Sequence, residues 1–232
     1  MKFKTGIGII LLTFIGSLNP YWLIFTVPVF LIGALLVFIS KKPTKIKLLW
    51  TVTPVLAWYP GMQLFFYLSG TIGTATAQKI DMVFPSDFKG RAIIVSEMTC
   101  GQPVEIVGER EQLVFPDNGI LLYQGEIETG YVNHKYYFLD PNGVKTEIPK
   151  RDLSMYWDSE PNKPDSTITG IWLGGMGSKH INHPEPETEF SYMFLTVASK
   201  ENRNDYFDFH YLKQFENETD SLVQSCKKEI KN

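Results

Sequence analysis

Acidic residues are missing from the first third of the chain. None of the 25 Asp and Glu lies between Met1 and Ala77, where the only charges are Lys2, Lys4, Lys41, Lys42, Lys45 and Lys47. The apolar runs of this region also lack Arg and His. Ion and proton pathways through lipid run on such ionisable groups, so their absence disfavours a channel or transporter. Cysteine is scarce. Cys100 and Cys226 are too few for a disulfide scaffold and lack the C-x-x-C spacing of a zinc site. They form either one bridge, if that part of the chain is exported, or two separate buried thiols. A bridge would close a long loop and contribute on the order of 4–5 kcal/mol in the chain-entropy model. Basic excess is absent from the remainder: after Ala77, 16 Lys and Arg stand against all 25 acids, a formal −9 following a +6 front portion. Such a surface repels a phosphate backbone and speaks against nucleic acid as a partner.

What the front portion does have is apolar length. Thr5–Leu18 is apolar, Asn19-Pro20 interrupts, Tyr21–Ile39 is apolar again, and a basic loop leads to a third run, Leu48–Ser69. A spanning helix needs about 20 residues to cross about 30 Å of hydrocarbon. The sequence therefore predicts spans over about 4–19, 21–39 and 48–69, the first two as a helical hairpin turned by Asn-Pro. One kinked span over the first two runs is the alternative. Pro54 and Pro60 bend the third run, and Tyr21, Trp22, Trp50 and Tyr67 sit near run ends as an aromatic belt places them. Residues 1–70 read as an anchor. Lys41, Lys42, Lys45 and Lys47 put the loop 41–47 in the cytoplasm, so the chain after Ser69 emerges outside. A signal peptide competes for the start, and Ala75-Thr76-Ala77 has the form of a cleavage site, although three apolar runs far exceed a leader.

Residues 71–79 read as a small polar linker and 80–232 as an extracytoplasmic domain. Strands are predicted at Arg91–Ser96, Pro103–Val107, Gln112–Phe115, Ile120–Gln124, Tyr131–Leu139, Val144–Ile148, Thr167–Leu173 and Glu189–Val197. Pro116-Asp117-Asn118-Gly119 and Asp140-Pro141-Asn142-Gly143 are hairpin signals, because Asn-Gly readily takes positive φ. Ser154–Trp157 reads as a helical turn and Glu160–Asp165 as a loop. Tyr206–Phe215 fits helix or strand spacing equally, and Ser221 with Gln224 has capping-box spacing for a closing helix over Leu222–Ile230. The fold class is thus N-terminal transmembrane α-helices plus a mainly-β, antiparallel, sandwich-like domain with a C-terminal helix.

Chemistry-bearing patterns are weak. His180 and His183, with Glu185 and Glu187, are metal candidates, but Pro184 and Pro186 oppose the helix that H-x-x-H ligation uses, and a solvated loop is the simpler reading. Gly174, Gly175 and Gly177 before Ser178 and Lys179 fail the Walker pattern and fit a turn or bulge. Ser178 and Ser191 lie near these histidines in sequence, without a G-x-S-x-G elbow. The carboxylate pairs Glu185/Glu187, Glu216/Glu218 and Asp205/Asp208 fit a solvated acidic surface. Asn217-Glu218-Thr219 is a glycosylation sequon. No cofactor is implied.

The order FPSDFKGRAIIV, CGQPVE, LVFPDNGIL, YYFLDPNGVKTEIP resembles a family of uncharacterised bacterial envelope domains found on lipoproteins and short membrane anchors. Pro85, Phe88, Lys89 and Gly90 match that family's opening, and Pro116, Asn118 and Gly119 its turn, over roughly Phe84–Gly177. The resemblance implies an exported β-rich module and supplies no catalytic residues. The expected role is a membrane-anchored extracytoplasmic interaction or structural module of the envelope, partnered by the bilayer and by envelope proteins. The alternative is an envelope hydrolase using a Gly174–His183 loop, with or without metal.

Overall fold

The structure, a computed structural model, describes residues 2–151, 167–181 and 188–229. It divides into two compact units, Met1–Thr76 and Ala77–Asn232. The expectations for Ser154–Trp157, Glu160–Asp165, His183, Glu185 and Glu187 lie outside the described residues.

The first unit is helical: α1 (Lys2–Ser17), a 3-10 turn (Pro20–Trp22), α2 (Leu23–Phe38) and α3 (Thr44–Thr76). Asn19 makes the turn between α1 and α2, its side-chain oxygen accepting from the Tyr21 N–H at 3.1 Å. The two helices approach closely because glycines face each other. A Cβ on Gly6 would lie 2.8 Å from the Gly33 carbonyl oxygen. Trp58 Nε1 ties α3 to the end of α1 by donating to the Ser17 carbonyl at 2.9 Å. Lys47 Nζ donates to the Phe38 carbonyl at 2.7 Å, a cation on the negative end of α2. Among the described residues one stretch, Pro20–Phe38, is long and apolar enough to cross a membrane. At 16 residues α1 reaches only about 24 Å, and Thr51, Thr53, Pro54, Pro60 and Gln63 dilute the apolar character of α3. The polar linker expected at 71–79 is not a separate segment: α3 runs on to Thr76 and the first strand starts at Lys79. The run Gly70–Thr76 is small and polar, but nothing in it breaks a helix already in progress.

The second unit holds two five-stranded sheets. The first has the order β3 (Ile106–Val107), β4 (Arg110–Val114), β1 (Lys79–Pro85), β6 (Asn133–Leu139), β7 (Lys145–Glu147). The second has the order β5 (Ile120–Leu122), β2 (Gly90–Val95), β10 (Thr188–Ala198), β9 (Gly170–Ile181), β8 (Lys150–Arg151). Both are mixed rather than antiparallel. β1 runs parallel to β4 and β6, β2 to β5, and β8 to β9. The turn at Asp140–Gly143 does make the predicted hairpin, β6 with β7. Asp140 Oδ1 accepts from the Val144 N–H at 2.7 Å, and Gly143 stands at φ +83°. The turn at Pro116–Gly119 does not. It carries the chain from β4 in one sheet to β5 in the other, and Ile120 pairs with Ile93 of β2.

Period-2 alternation fills the space between the sheets. Ile80, Met82 and Phe84 of β1 meet Ile94 of β2 and Met193 and Leu195 of β10 in one core. β2 is buried almost throughout because its other face is covered too. Ile93 and Val95 join Phe190, Phe215, Val223 and Cys226 in a second core beneath α4 (Phe209–Glu229). Helix α4 starts twelve residues before the expected Ser221 cap, after a 3-10 turn at Arg203–Phe207. Tyr211 and Phe215 stack at 6.2 Å on its inner side, and the Arg91 N–H donates to the Tyr211 hydroxyl at 3.0 Å. The sequon lies inside this helix, with Thr219 buried and its hydroxyl donating to the Phe215 carbonyl at 2.8 Å.

Candidate functional site

At one end of the second sheet a cleft of about 320 Å³ opens between the segment after β2, the loop 126–129 and the β9–β10 pair. Its construction starts at Ser96. The Ser96 N–H donates to the Ser191 carbonyl at 3.1 Å, the Glu97 N–H to the Gly125 carbonyl at 3.0 Å and the Met98 N–H to the Tyr123 carbonyl at 2.7 Å. Three successive amides are thereby clamped from two sides, and Glu97 between them is held at φ +60°, the one non-glycine residue described with positive φ. That conformation costs an L-residue on the order of 1 kcal/mol. The loop 126–129 is fastened by Gln78. Its amide nitrogen donates to the Glu126 carbonyl at 2.9 Å and to both Glu111 carboxylate oxygens at 3.0 and 3.1 Å, and its amide oxygen accepts from the Glu128 N–H at 3.0 Å.

The cleft is chemically mixed. Glu97 and Glu126 supply two carboxylates, and the described residues give neither side chain a hydrogen-bond or ion-pair partner. Thr129 and the cross-strand pair Ser178 and Ser191 supply hydroxyls. Ile127 and Met176 form the apolar walls, whereas the Tyr192 ring lies on the other face of the sheet, toward α4. Gly177 lies opposite Tyr192, and a Cβ there would come within 3.1 Å of the Tyr192 hydroxyl, so the missing side chain makes room for the ring.

The Gly174–His183 loop expected from the sequence is not a loop over its described part. Gly174–Ile181 belong to β9, and His180 sits on that strand opposite Glu189. Gly174 and Gly175 form a bulge, two residues facing Phe194 alone between the Leu173–Leu195 and Met176–Met193 pairs. No group of three or more His, Cys, Asp or Glu side chains placed to hold a metal occurs among the described residues. Ser178 and Ser191 do come together, but no histidine is among the described residues that line their cleft. Cys100, after β2, and Cys226, near the end of α4, are bonded to each other with Cα atoms 5.6 Å apart.

The histidine set apart by its environment is His134. It is buried on the inner face of β6 beside Tyr136, their rings edge-on at 6.4 Å. Its Nδ1 and the Tyr136 hydroxyl are buried without hydrogen-bond partners among the described residues. Burial foremost, then the nearby Lys150 and Arg110 charges, push His134 down to about 4, while burial pushes the Tyr136 phenol up. Alternation along Tyr131–Leu139 already places His134, Tyr136 and Phe138 on one face, which is the signal that marks it. No sequence pattern marks Glu97 and Glu126, which are brought together only by tertiary structure.

Residues 77–205 match a family of unknown function, DUF6843. The chain belongs to that family. The matched residues include every residue of the cleft and stop short of α4 and Cys226. A solved structure, the "2.75 Angstrom Crystal Structure of Putative Lipoprotein from Bacillus anthracis", is similar to 64% of this chain and 96% of its own, with 18% identity and a TM-score of 0.46. No curated protein matches the chain.

Proposed function

We propose that the protein is a membrane-anchored interaction module of a cell envelope. In this reading the Met1–Thr76 unit sits in the cytoplasmic membrane and the Ala77–Asn232 unit lies on its outer side. The observation that carries it is the Cys100–Cys226 bond, since disulfides persist in oxidising compartments outside the cytosol. Lysine bias supports the same side independently. The loop 41–47 holds four lysines, and cytoplasmic loops carry that excess. The exterior of the first unit supports the membrane: Leu12, Ile24 and Leu56 are 72%, 74% and 73% exposed, an apolar surface suited to lipid. The proposal includes three crossings, at about 4–19, 21–39 and 48–69. In it, Phe3, Lys4 and Asn19 reach the interfaces at the ends of the short first helix, and α3, 33 residues and about 50 Å long, overshoots the hydrocarbon of about 30 Å. Bilayer lipid and other envelope proteins are the proposed partners.

The test is a pair of reporter fusions in cells. Alkaline phosphatase, active only outside the cytoplasm, should be active when fused after Asn232 and inactive when fused after Pro43. The opposite pattern, or activity at both points, overturns the orientation.

A further inference from the structure

The cleft bounded by Glu97, Glu126 and the β9–β10 pair has a composition that selects a chemical class of ligand. Its volume falls at the lower end of the range for small-molecule sites. Two carboxylates that the described residues leave without a partner put a formal −2 at its rim, and no Lys, Arg or His is among the described residues that line it. The unit around it is itself acidic, so the field favours cations and repels phosphates and carboxylates. The hydroxyls of Thr129, Ser178 and Ser191 can each donate and accept, which suits a ligand with several hydroxyls of its own. Ile127 and Met176 offer apolar surface for the carbon face of a small ring.

We propose that this cleft binds a small hydroxylated ammonium compound of amino-sugar size, with Glu97 and Glu126 recognising the charge and the Thr129, Ser178 and Ser191 hydroxyls the polyol. The proposal goes beyond anchoring and stands whichever side of a membrane the unit occupies. The clamped backbone from Ser96 to Met98 and the Gln78 bond to the Glu126 carbonyl fix the main chain that carries both glutamates, so binding has to order only their side chains.

The test is isothermal titration of the full chain in detergent with D-glucosamine, N-acetyl-D-glucosamine and D-glucose. Glucosamine should bind saturably and more weakly as salt rises, and the two neutral sugars about tenfold or more weaker. Glu97→Gln and Glu126→Gln should each weaken glucosamine about tenfold, leaving the neutral sugars and the unfolding temperature unchanged. Glucosamine should also shift the methyl resonance of Met176, which reports occupancy in the unaltered protein. Neutral sugars binding as well as glucosamine, glutamine variants binding glucosamine normally, or no saturable binding would each overturn the assignment. So would calcium chloride binding through the same two glutamates while glucosamine does not.

Discussion

The Tyr123 hydroxyl donates to Glu111 Oε2 at 2.7 Å, joining the chain just after β5 in one sheet to β4 in the other. Tyr123 is fully buried, and burial together with this bond to Glu111 raises its phenol well above the ordinary range, so it remains a neutral donor. Glu111 in turn accepts from Gln78, which braces the loop 126–129. One carboxylate therefore links the two sheets to the cleft wall.

Removing the hydroxyl alone isolates that link. Tyr123→Phe should destabilise the fold by roughly 1.5–3 kcal/mol, the range for a hydrogen bond to a charged group. Glu111→Gln should cost less, because an amide oxygen still accepts. Combined, the two changes should cost less than their sum, since once the Tyr123 hydroxyl is gone the change at Glu111 has no bond to it left to weaken. Urea unfolding of the full chain reads all three, and strict additivity would mean that the pair is not coupled.

His134 gives the fold a dependence on acid. Its folded value of about 4 lies below the ordinary 6.5, so between those values the unfolded chain takes up a proton that the folded chain refuses. Stability from this group is fully present above about pH 6.5 and falls as the pH drops toward 4. The full shift corresponds to about 3 kcal/mol. His134→Phe should remove that acid-dependent loss, and unfolding midpoints measured from pH 7 to pH 4 would reveal it. A mutant curve parallel to that of the unaltered chain would assign the loss to other groups. Asp208, for one, is held below its usual value by the Tyr211 and His210 backbone amides.

The contrast between two turns explains how far the sequence could be read. Pro116–Gly119 and Asp140–Gly143 carry the same Asn-Gly signal, and both glycines take positive φ, +73° and +83°. Local chemistry fixes the turn. It does not fix the partner of the strand that leaves it. Ile120 goes to β2 because Ile93, Val95 and Ile120 share the core beneath α4, a surface that exists only once residues a hundred positions later have arrived. The same limit hid the parallel pairings of β1 and the early start of α4, whose first turn uses Asp208 Oδ1 as acceptor for the His210 N–H at 2.9 Å. Most strand locations, the β6–β7 hairpin and the apolar α2 were legible because period-2 alternation, Asn-Gly and unbroken apolar length are local, whereas β1 (Lys79–Pro85) was not among the expected strands. The cleft was not, since Glu97, Glu126 and Ser178 belong to three segments without a shared motif.

The Cys100–Cys226 bond spans 126 positions and fastens the end of α4 to the loop after β2. Replacing both cysteines by alanine should lower stability by about 4–5 kcal/mol if loop closure dominates. The loss should appear first as faster hydrogen exchange over the last turns of α4, while Lys179–Asp220 at 2.9 Å still holds its middle. Uniform loosening of both sheets would argue that the bond constrains the whole unit rather than the helix.

The β9 bulge makes a sharper test, because its two glycines differ. A Cβ on Gly174 would lie 2.2 Å from a carbon of the Phe194 ring and 2.5 Å from the Phe194 carbonyl oxygen. The ring could turn, but the carbonyl belongs to the neighbouring strand and cannot give without breaking the bulge. A Cβ on Gly175 would meet the same ring at 3.4 Å, an ordinary contact. Gly174→Ala should therefore cost roughly 1–3 kcal/mol as an overpacked site, whereas Gly175→Ala should stay within about 0.5 kcal/mol. Thermal unfolding of the two variants side by side separates these outcomes. If both are tolerated equally, Gly174 and Gly175 do not stand against Phe194 as a bulge. If only Gly174→Ala is damaging, the glycine run is explained by the close approach of β10, with no phosphate cradle needed to account for it.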